Sequence, residues 1–184
     1  MPRRTDTRER MVRTAADLFR AQGYHATGVN QVLSEGGAPK GSLYFHFPGG
    51  KEQLAVEAVA LAGRDLGDAL TAVLAAEPDP AEALSRALDL LGRELLGSGF
   101  RSGCPIATVA LDAAADSEPI RVACEDVYAS WQRVIAAHVG DDDLATVVLA
   151  AIEGALLLAR TRRSLDPLHA VGARLGALLG RPRP

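Results

Sequence analysis

The chain reads as an all-α protein of about nine helices, and three observations predict that fold class. Alanine and leucine dominate while aromatics make up only 4% of the residues, and both are among the best helix formers. Apolar residues recur at three- and four-residue spacing along the chain. The breaks between those stripes carry helix start and stop signals, among them Asp79-Pro80, Ser117-Glu118-Pro119 and Asp166-Pro167. No segment shows the alternation of a strand, and no internal repeat is visible.

A first helix is expected over 7–22, with Asp6 as its cap, Glu9 in the capping-box position and Gly23 as its stop. Met11, Ala15, Leu18 and Phe19 share one face. A short second helix over 28–35 follows, with Thr27 placed to cap it and Val29, Val32 and Leu33 as its stripe. Gly36-Gly37-Ala38-Pro39 breaks the chain, because Pro39 lacks an amide hydrogen and disfavours a helical residue before it. A third helix is expected over 40–46. Two short helices joined by a glycine-bearing turn form a helix-turn-helix candidate.

Pro48-Gly49-Gly50 ends that unit, and a long fourth helix is expected from Lys51 to about Ala76. Asp79-Pro80-Ala81-Glu82 opens the fifth: a cap, a proline in the first turn and an acid three residues after the cap. The sixth is expected over 104–114 and the seventh from Ser117, with Ile120, Cys124, Val127, Tyr128, Trp131, Val134 and Ile135 along one stripe. Asp141–Asp143 put negative charge at the start of the eighth, where the helix dipole favours it. Its wide apolar surface, through Leu156, Leu157 and Leu158, predicts two buried faces. The ninth starts at Asp166-Pro167 and carries Leu168, Val171, Leu175 and Leu178.

The chain has 184 residues, 48% of them hydrophobic, enough for a real core and unlike a disordered sequence. No basic-then-apolar segment with a cleavage site stands at residues 1–30, so no secretory signal is expected. The longest apolar run, 144–159, is interrupted by Glu153 and shorter than a membrane span; a cytoplasmic protein is expected. Charge is unevenly spread: residues 1–51 hold eight Lys/Arg against four acids, a net of +4 in a chain of net −3, so the rest carries −7. A basic end on an acidic body suits a polyanion partner at that end, although a solvated face would look the same. Composition and the break near 50 suggest two domains, 1–50 and 51–184.

The stretch 27–54 reads TGVNQVLSEGGAPKGSLYFHFPGGKEQL. It resembles the DNA-binding signature of the TetR family of transcriptional regulators, and length, helix count and domain order fit that family over the whole chain. Ala38-Pro39-Lys40-Gly41-Ser42, Phe47-Pro48-Gly49-Gly50-Lys51 and Gly103-Cys104-Pro105-Ile106 resemble its LmrA/YxaF-like branch. The resemblance implies a homodimeric regulator, an N-terminal helix-turn-helix for double-stranded operator DNA, and a C-terminal bundle for an unidentified effector and for dimerisation. A repressor released by a small apolar or aromatic effector is the leading expectation; an activator of the same fold is the alternative.

DNA recognition needs cations and donors for phosphates and side chains that reach base edges. Lys40 is expected to open the recognition helix, with Gly41 beside it. Ser42 is expected on a base or a phosphate, and Tyr44 and His46 on phosphate oxygens while their rings pack. The resemblance implies a phosphate at Thr27 or at the helix-2 start by Gly28, and Lys51 is a further phosphate candidate. Packing of Tyr44 on the first helix is an equal alternative. Leu43 and Phe47 read as core.

The acidic bundle offers no catalytic set and no metal-ligand spacing, so neither an enzyme nor a cofactor is expected; a helical enzyme or ligand carrier is the competing class. Cys104 and Cys124 read as small buried hydrophobes rather than a redox pair. An effector pocket is expected from Leu61, Leu88, Phe100, Cys104, Tyr128, Trp131, Ile135 and Ile152. A dimer surface is expected on the last two helices, from Leu149, Ile152, Leu156, Leu168, Val171 and Leu175.

Overall fold

The computed structural model describes residues 4–180, and among those residues lie nine α-helices and no strand. Arg3, one of the basic residues counted above, lies outside them. The first helix, α1 (Arg4–Gln22), begins before the expected cap. Asp6 sits inside its first turn and pairs with Arg10 at 2.8 Å, so it serves the dipole and an i,i+4 pair instead of capping, and Glu9 has no capping-box role.

In α2 (Val29–Glu35) the N-cap is Gly28, in extended conformation and without a side-chain cap. Thr27 is not the cap: it is fully buried, and its hydroxyl donates to the Gly23 carbonyl at 2.7 Å. α3 (Leu43–His46) is shorter than expected. A turn closes first, with the Ser42 amide donating to the Pro39 carbonyl at 3.1 Å. Gly41 at φ +85° takes a left-handed backbone that no helix can include. Lys40 therefore stands in the turn, not on the helix.

α4 (Gly50–Ala76) and α5 (Pro80–Gly97) match expectation. The Asp79 carboxylate accepts from the Ala81 and Glu82 amides, each at 2.9 Å, which satisfies two otherwise orphaned donors. α6 (Ala107–Ala113) starts three residues late: Pro105 and Ile106 form a turn before it, and the Ile106 amide donates to Cys104 Sγ at 3.4 Å. α7 (Glu118–Val139), α8 (Asp142–Arg162) and α9 (Asp166–Leu179) complete the chain, with Asp141 capping α8 through the Leu144 amide at 2.8 Å.

The helices form two compact units. One comprises the residues up to Asp65 and adds Cys104–Val127. Its core includes Met11, Ala15, Phe19, Leu43, Phe47, Leu54, Ile106 and Ile120, all fully or nearly fully buried, with α1 packed on both α2 and α6. Here α4 and α7 touch closely at Gly63: a methyl group there would overlap both methyls of Val127.

The other unit takes Leu66–Gly103 and everything from Tyr128 on. In it α5, α8 and α9 pack on one another, around Leu84, Leu88, Leu91, Leu95, Val148, Leu156 and Leu168. α8 has 21 residues, longer than the apolar run 144–159 within it, and by length and composition alone is apolar enough to cross a membrane. Ala145, Val148, Ile152, Ala155, Leu156 and Ala159 are buried, so one side of α8 belongs to the core. Val147, Leu157 and Leu158 on it are exposed; a single chain buries one face of α8, not two.

The two close glycine contacts should respond differently to alanine. At Gly63 the neighbour is a β-branched Val127 whose methyls cannot both swing away, so Gly63→Ala should lose about 1–3 kcal/mol through overpacking. At Gly172 the only close atom is Leu88 Cδ1 at 2.7 Å, a flexible end, so Gly172→Ala should change stability by less than about 1 kcal/mol, helped by alanine's helix propensity. Urea unfolding at one fixed protein concentration measures both; a larger loss at Gly172 would contradict this packing.

Candidate nucleic-acid interface

A four-residue helix has no stability of its own, because nucleation is not repaid over one turn. α3 is held by its ends. Leu43 and Phe47, four residues apart, are 2% and 0% exposed, and the Phe47 amide donates back to the Leu43 carbonyl at 2.7 Å. Arg8 of α1 lies over the Phe47 ring, 4.9 Å from its centre, and donates to Glu57 Oε1 of α4 at 2.6 Å. Gln53 donates to the same Glu57 oxygen at 3.2 Å and accepts from the Gly49 amide at 2.9 Å. One guanidinium and one carboxylate thus tie α1 and α4 around the end of α3.

The turn before α3 is tied as well. Arg10 of α1 donates to the Gly36 carbonyl at 3.2 Å. The Gly36 amide returns to the Val32 carbonyl and the Ala38 amide to that of Leu33, each at 2.8 Å, which closes α2 and satisfies its last carbonyls.

With Leu43 and Phe47 turned inward, helical geometry turns the residues between them outward. Tyr44 is 71% exposed and Phe45 61%. The Tyr44 ring edge passes 3.3 Å from where a Gly50 methyl would stand. Lys40, Gly41 and Gly28 are exposed. His46 is half-buried, its ring 5.0 Å from that of Phe45, edge to face.

Two expected contacts are placed differently. The Ser42 hydroxyl oxygen is shielded from solvent and has no hydrogen-bond partner. The Thr27 hydroxyl donates its hydrogen to the Gly23 carbonyl and accepts from Gln22 at 3.2 Å, so it is turned inward. Lys51 is half-buried, with Nζ 4.2 Å from the centre of the Tyr24 ring, a cation–π contact. Burial pulls its ammonium below the ordinary lysine range, and the charge of Asp112 partly restores it. Burial also raises the Tyr24 phenol, with Glu52 adding to the effect. Phe45 is the residue that sequence reading passed over. Its signal was the spacing itself: once Leu43 and Phe47 are core, both aromatics between them must face out.

The expected effector residues divide between the units. Leu61 and Cys104 belong to the first; Leu88, Phe100, Tyr128, Trp131, Ile135 and Ile152 belong to the second. In the second, Tyr128 and Trp131 meet edge to face at 5.7 Å, and the indole nitrogen lies 3.2 Å from where a Gly67 methyl would be. Among the expected dimer residues, Ile152, Leu156, Leu168 and Leu175 are at most 9% exposed within their own chain. The packing of α5, α8 and α9 consumes them, which corrects their assignment to a surface; Leu149 and Val171 are half-buried. No group of three potential metal ligands occurs among the described residues.

Two family models match. "Bacterial regulatory proteins, tetR family" covers residues 12–58, and "Transcriptional regulator LmrA/YxaF-like, C-terminal domain" covers 80–174. The HTH-type transcriptional regulator LmrA of Bacillus subtilis is 38% identical, over 96% of this chain and 98% of its own. The HTH-type regulator YxaF of the same organism is 35% identical, over 97% and 98%. A solved structure of the regulator CifR, a cysteine mutant in complex with 26-bp double-strand operator DNA, shares the fold with a TM-score of 0.79 at 23% identity, covering 95% of this chain and 96% of that one.

Both cysteines are buried. Burial pushes the Cys124 thiol up to about 11 from 9.0, which keeps it protonated and unreactive near neutral pH. Native protein at pH 8 should therefore alkylate at Cys124 far more slowly than urea-unfolded protein, as read by mass spectrometry of the labelled peptide. The unfolded thiol ionises first, so this thiol's contribution to stability is present below pH 9 and falls between about 9 and 11. Equal labelling rates in the two states would contradict the burial.

Proposed function

Because the chain belongs to the TetR family of bacterial regulators, in its LmrA/YxaF-like branch, it is a DNA-binding transcriptional regulator, and we propose that it acts as a homodimeric repressor released from its operator by a small apolar or aromatic molecule. The observation that carries the DNA-binding surface is the outward pair Tyr44 and Phe45 beside the exposed Lys40, on a helix whose flanking Leu43 and Phe47 are locked into the core. Lys40 supplies a cation for phosphate, Tyr44 a phenol donor, and Phe45 an apolar surface suited to a thymine methyl in the major groove. His46 and Lys51 add donors at the rim, and Gly41 and Gly28 admit close backbone approach. Residues 1–50, joined by Lys51 at the start of α4, carry the DNA contacts in this reading, and the rest of 51–184 carries the regulation.

One such unit makes few contacts, so two related by a twofold axis are needed to read a palindrome. The exposed side of α8 supports a second copy as partner. Val147, Ala150, Gly154, Leu157 and Leu158 are all exposed, and their spacing of three and four makes one continuous apolar strip along the helix. Leu178 extends the exposed apolar surface onto α9. The strip suits the self-complementary contact of a twofold dimer.

For the effector, the Tyr128–Trp131 pair with Leu88, Ile135 and Ile152 supports an apolar, aromatic-lined site in the second unit. Release requires that the effector bind the DNA-free arrangement more tightly than the DNA-bound one.

Selection from a random duplex pool should recover a palindrome. Against that duplex, fluorescence anisotropy should show affinity falling steeply with salt, and a Lys40→Ala, Tyr44→Ala variant should bind at least about tenfold more weakly, one good contact being worth about 1–3 kcal/mol. No enrichment over random DNA would refute operator recognition. In sedimentation velocity, wild type should run as a dimer and Leu157→Glu as a monomer, since a charge on the strip would be buried unpaired; a dimeric Leu157→Glu would move the interface elsewhere.

A further inference from the structure

In the first unit, α6 reaches the turn between α1 and α2 from a distant part of the sequence. Asp112 of α6 accepts the His25 amide hydrogen on Oδ2 at 2.7 Å. Gly23, two residues earlier, stands at φ +88°, and a methyl there would lie 2.9 Å from the same oxygen. The carboxylate is therefore seated against the backbone of the turn. One helical turn before it, the Thr108 hydroxyl donates to the Arg20 carbonyl near the end of α1 at 3.3 Å. Two polar groups of one short helix grip the last turn of α1 and the loop after it.

That loop sets the start of α2. The Gly23 carbonyl receives the buried Thr27 hydroxyl at 2.7 Å. Gln22 reaches both Thr27 Oγ1 at 3.2 Å and Gln31 Oε1 of α2 at 2.9 Å. A chain of hydrogen bonds thus runs from Asp112 through the 23–25 backbone and Thr27 to α2. Hydrogen bonds to a charged carboxylate are among the stronger ones.

We propose that Asp112 is a positioning residue for operator binding: it touches no DNA, and it holds the α1–α2 turn so that α2 and the α3 that follows it stay in register. This rests on the reading that α3 presents the DNA-contacting residues. The sign of its effect separates it from plain electrostatics. DNA is a polyanion, so deleting an acid from the binding unit should tighten binding if charge alone mattered. A positioning carboxylate predicts the opposite.

The test uses full-length Asp112→Ala and Asp112→Asn with a fluorescein-labelled duplex selected in vitro by wild type. Asp112→Ala should bind about tenfold more weakly, the loss expected for one hydrogen bond to a charged group. Asp112→Asn keeps an acceptor for the His25 amide and should recover most of that loss without exceeding wild-type affinity. Amide exchange of the 22–28 segment, measured without DNA, should quicken in Asp112→Ala and stay near wild type in Asp112→Asn. Tighter binding by either variant, or unchanged exchange in Asp112→Ala, would overturn the proposal. Should Asp112→Ala not fold, Asp112→Asn decides by the same sign. Should wild type select no duplex, the DNA-contact reading fails, while exchange in the two variants still decides whether Asp112 holds the turn.

Discussion

The contact between Arg8, Phe47 and Glu57 is what α3, with its outward Tyr44 and Phe45, rests on. A one-turn helix does not repay its own nucleation, so α3 depends on Leu43 and Phe47, buried at its ends, and on Phe47 being held there. The guanidinium does this from α1, covering the ring at 4.9 Å and bonding to a carboxylate of α4 at 2.6 Å. Arg8 is 41% exposed and Glu57 26%, so solvent screens the ion pair itself. Its value lies in geometry: a planar, always charged group satisfies a ring face and a carboxylate at once. Once Leu43 and Phe47 are inside, the exposure of Tyr44 and Phe45 follows without further design.

The same economy appears at the other corner of the unit. α2 has no side-chain cap, and Thr27, the residue best suited to be one, is turned inward to the Gly23 carbonyl. The start of α2 is therefore positioned by what lies behind it, the 23–25 turn, and that turn is gripped by Asp112 and Thr108 of α6. The α2–α3 corner is braced by helices outside it, α1, α4 and α6. The second unit shows the complementary situation. Its core consumes one side of α8 and leaves an apolar strip on the other, an arrangement a water-soluble surface does not need.

Much of this was legible in the residues. Helix number, the Asp79 cap, the acidic start of α8, the proline-led starts of α5 and α9, and the burial of Leu43 and Phe47 all follow from local chemistry and periodicity. The misses were decided by a partner for one particular side chain, by a glycine conformation or by tertiary packing. Asp6 read as a cap, but α1 begins at Arg4 and Asp6 pairs with Arg10 inside it. The start of α3 moved from Lys40 to Leu43 because Gly41 takes a left-handed backbone. Thr27 read as a cap because its type fits one, yet a partner four residues back claimed its hydroxyl. Ile152, Leu156, Leu168 and Leu175 read as a surface for a second copy because apolar width shows how much must be buried but not against what. Asp112 carries no local signal, since its partner, His25, lies 87 residues away.

The most direct test of the central claim, that a pair of these outward α3 faces reads DNA, is hydroxyl-radical footprinting of a selected duplex bound by the full-length protein. Two protected windows on one face of the duplex, with their centres about one helical turn or a multiple apart, are the expected result. A single window, or uniform protection along the duplex, would contradict it.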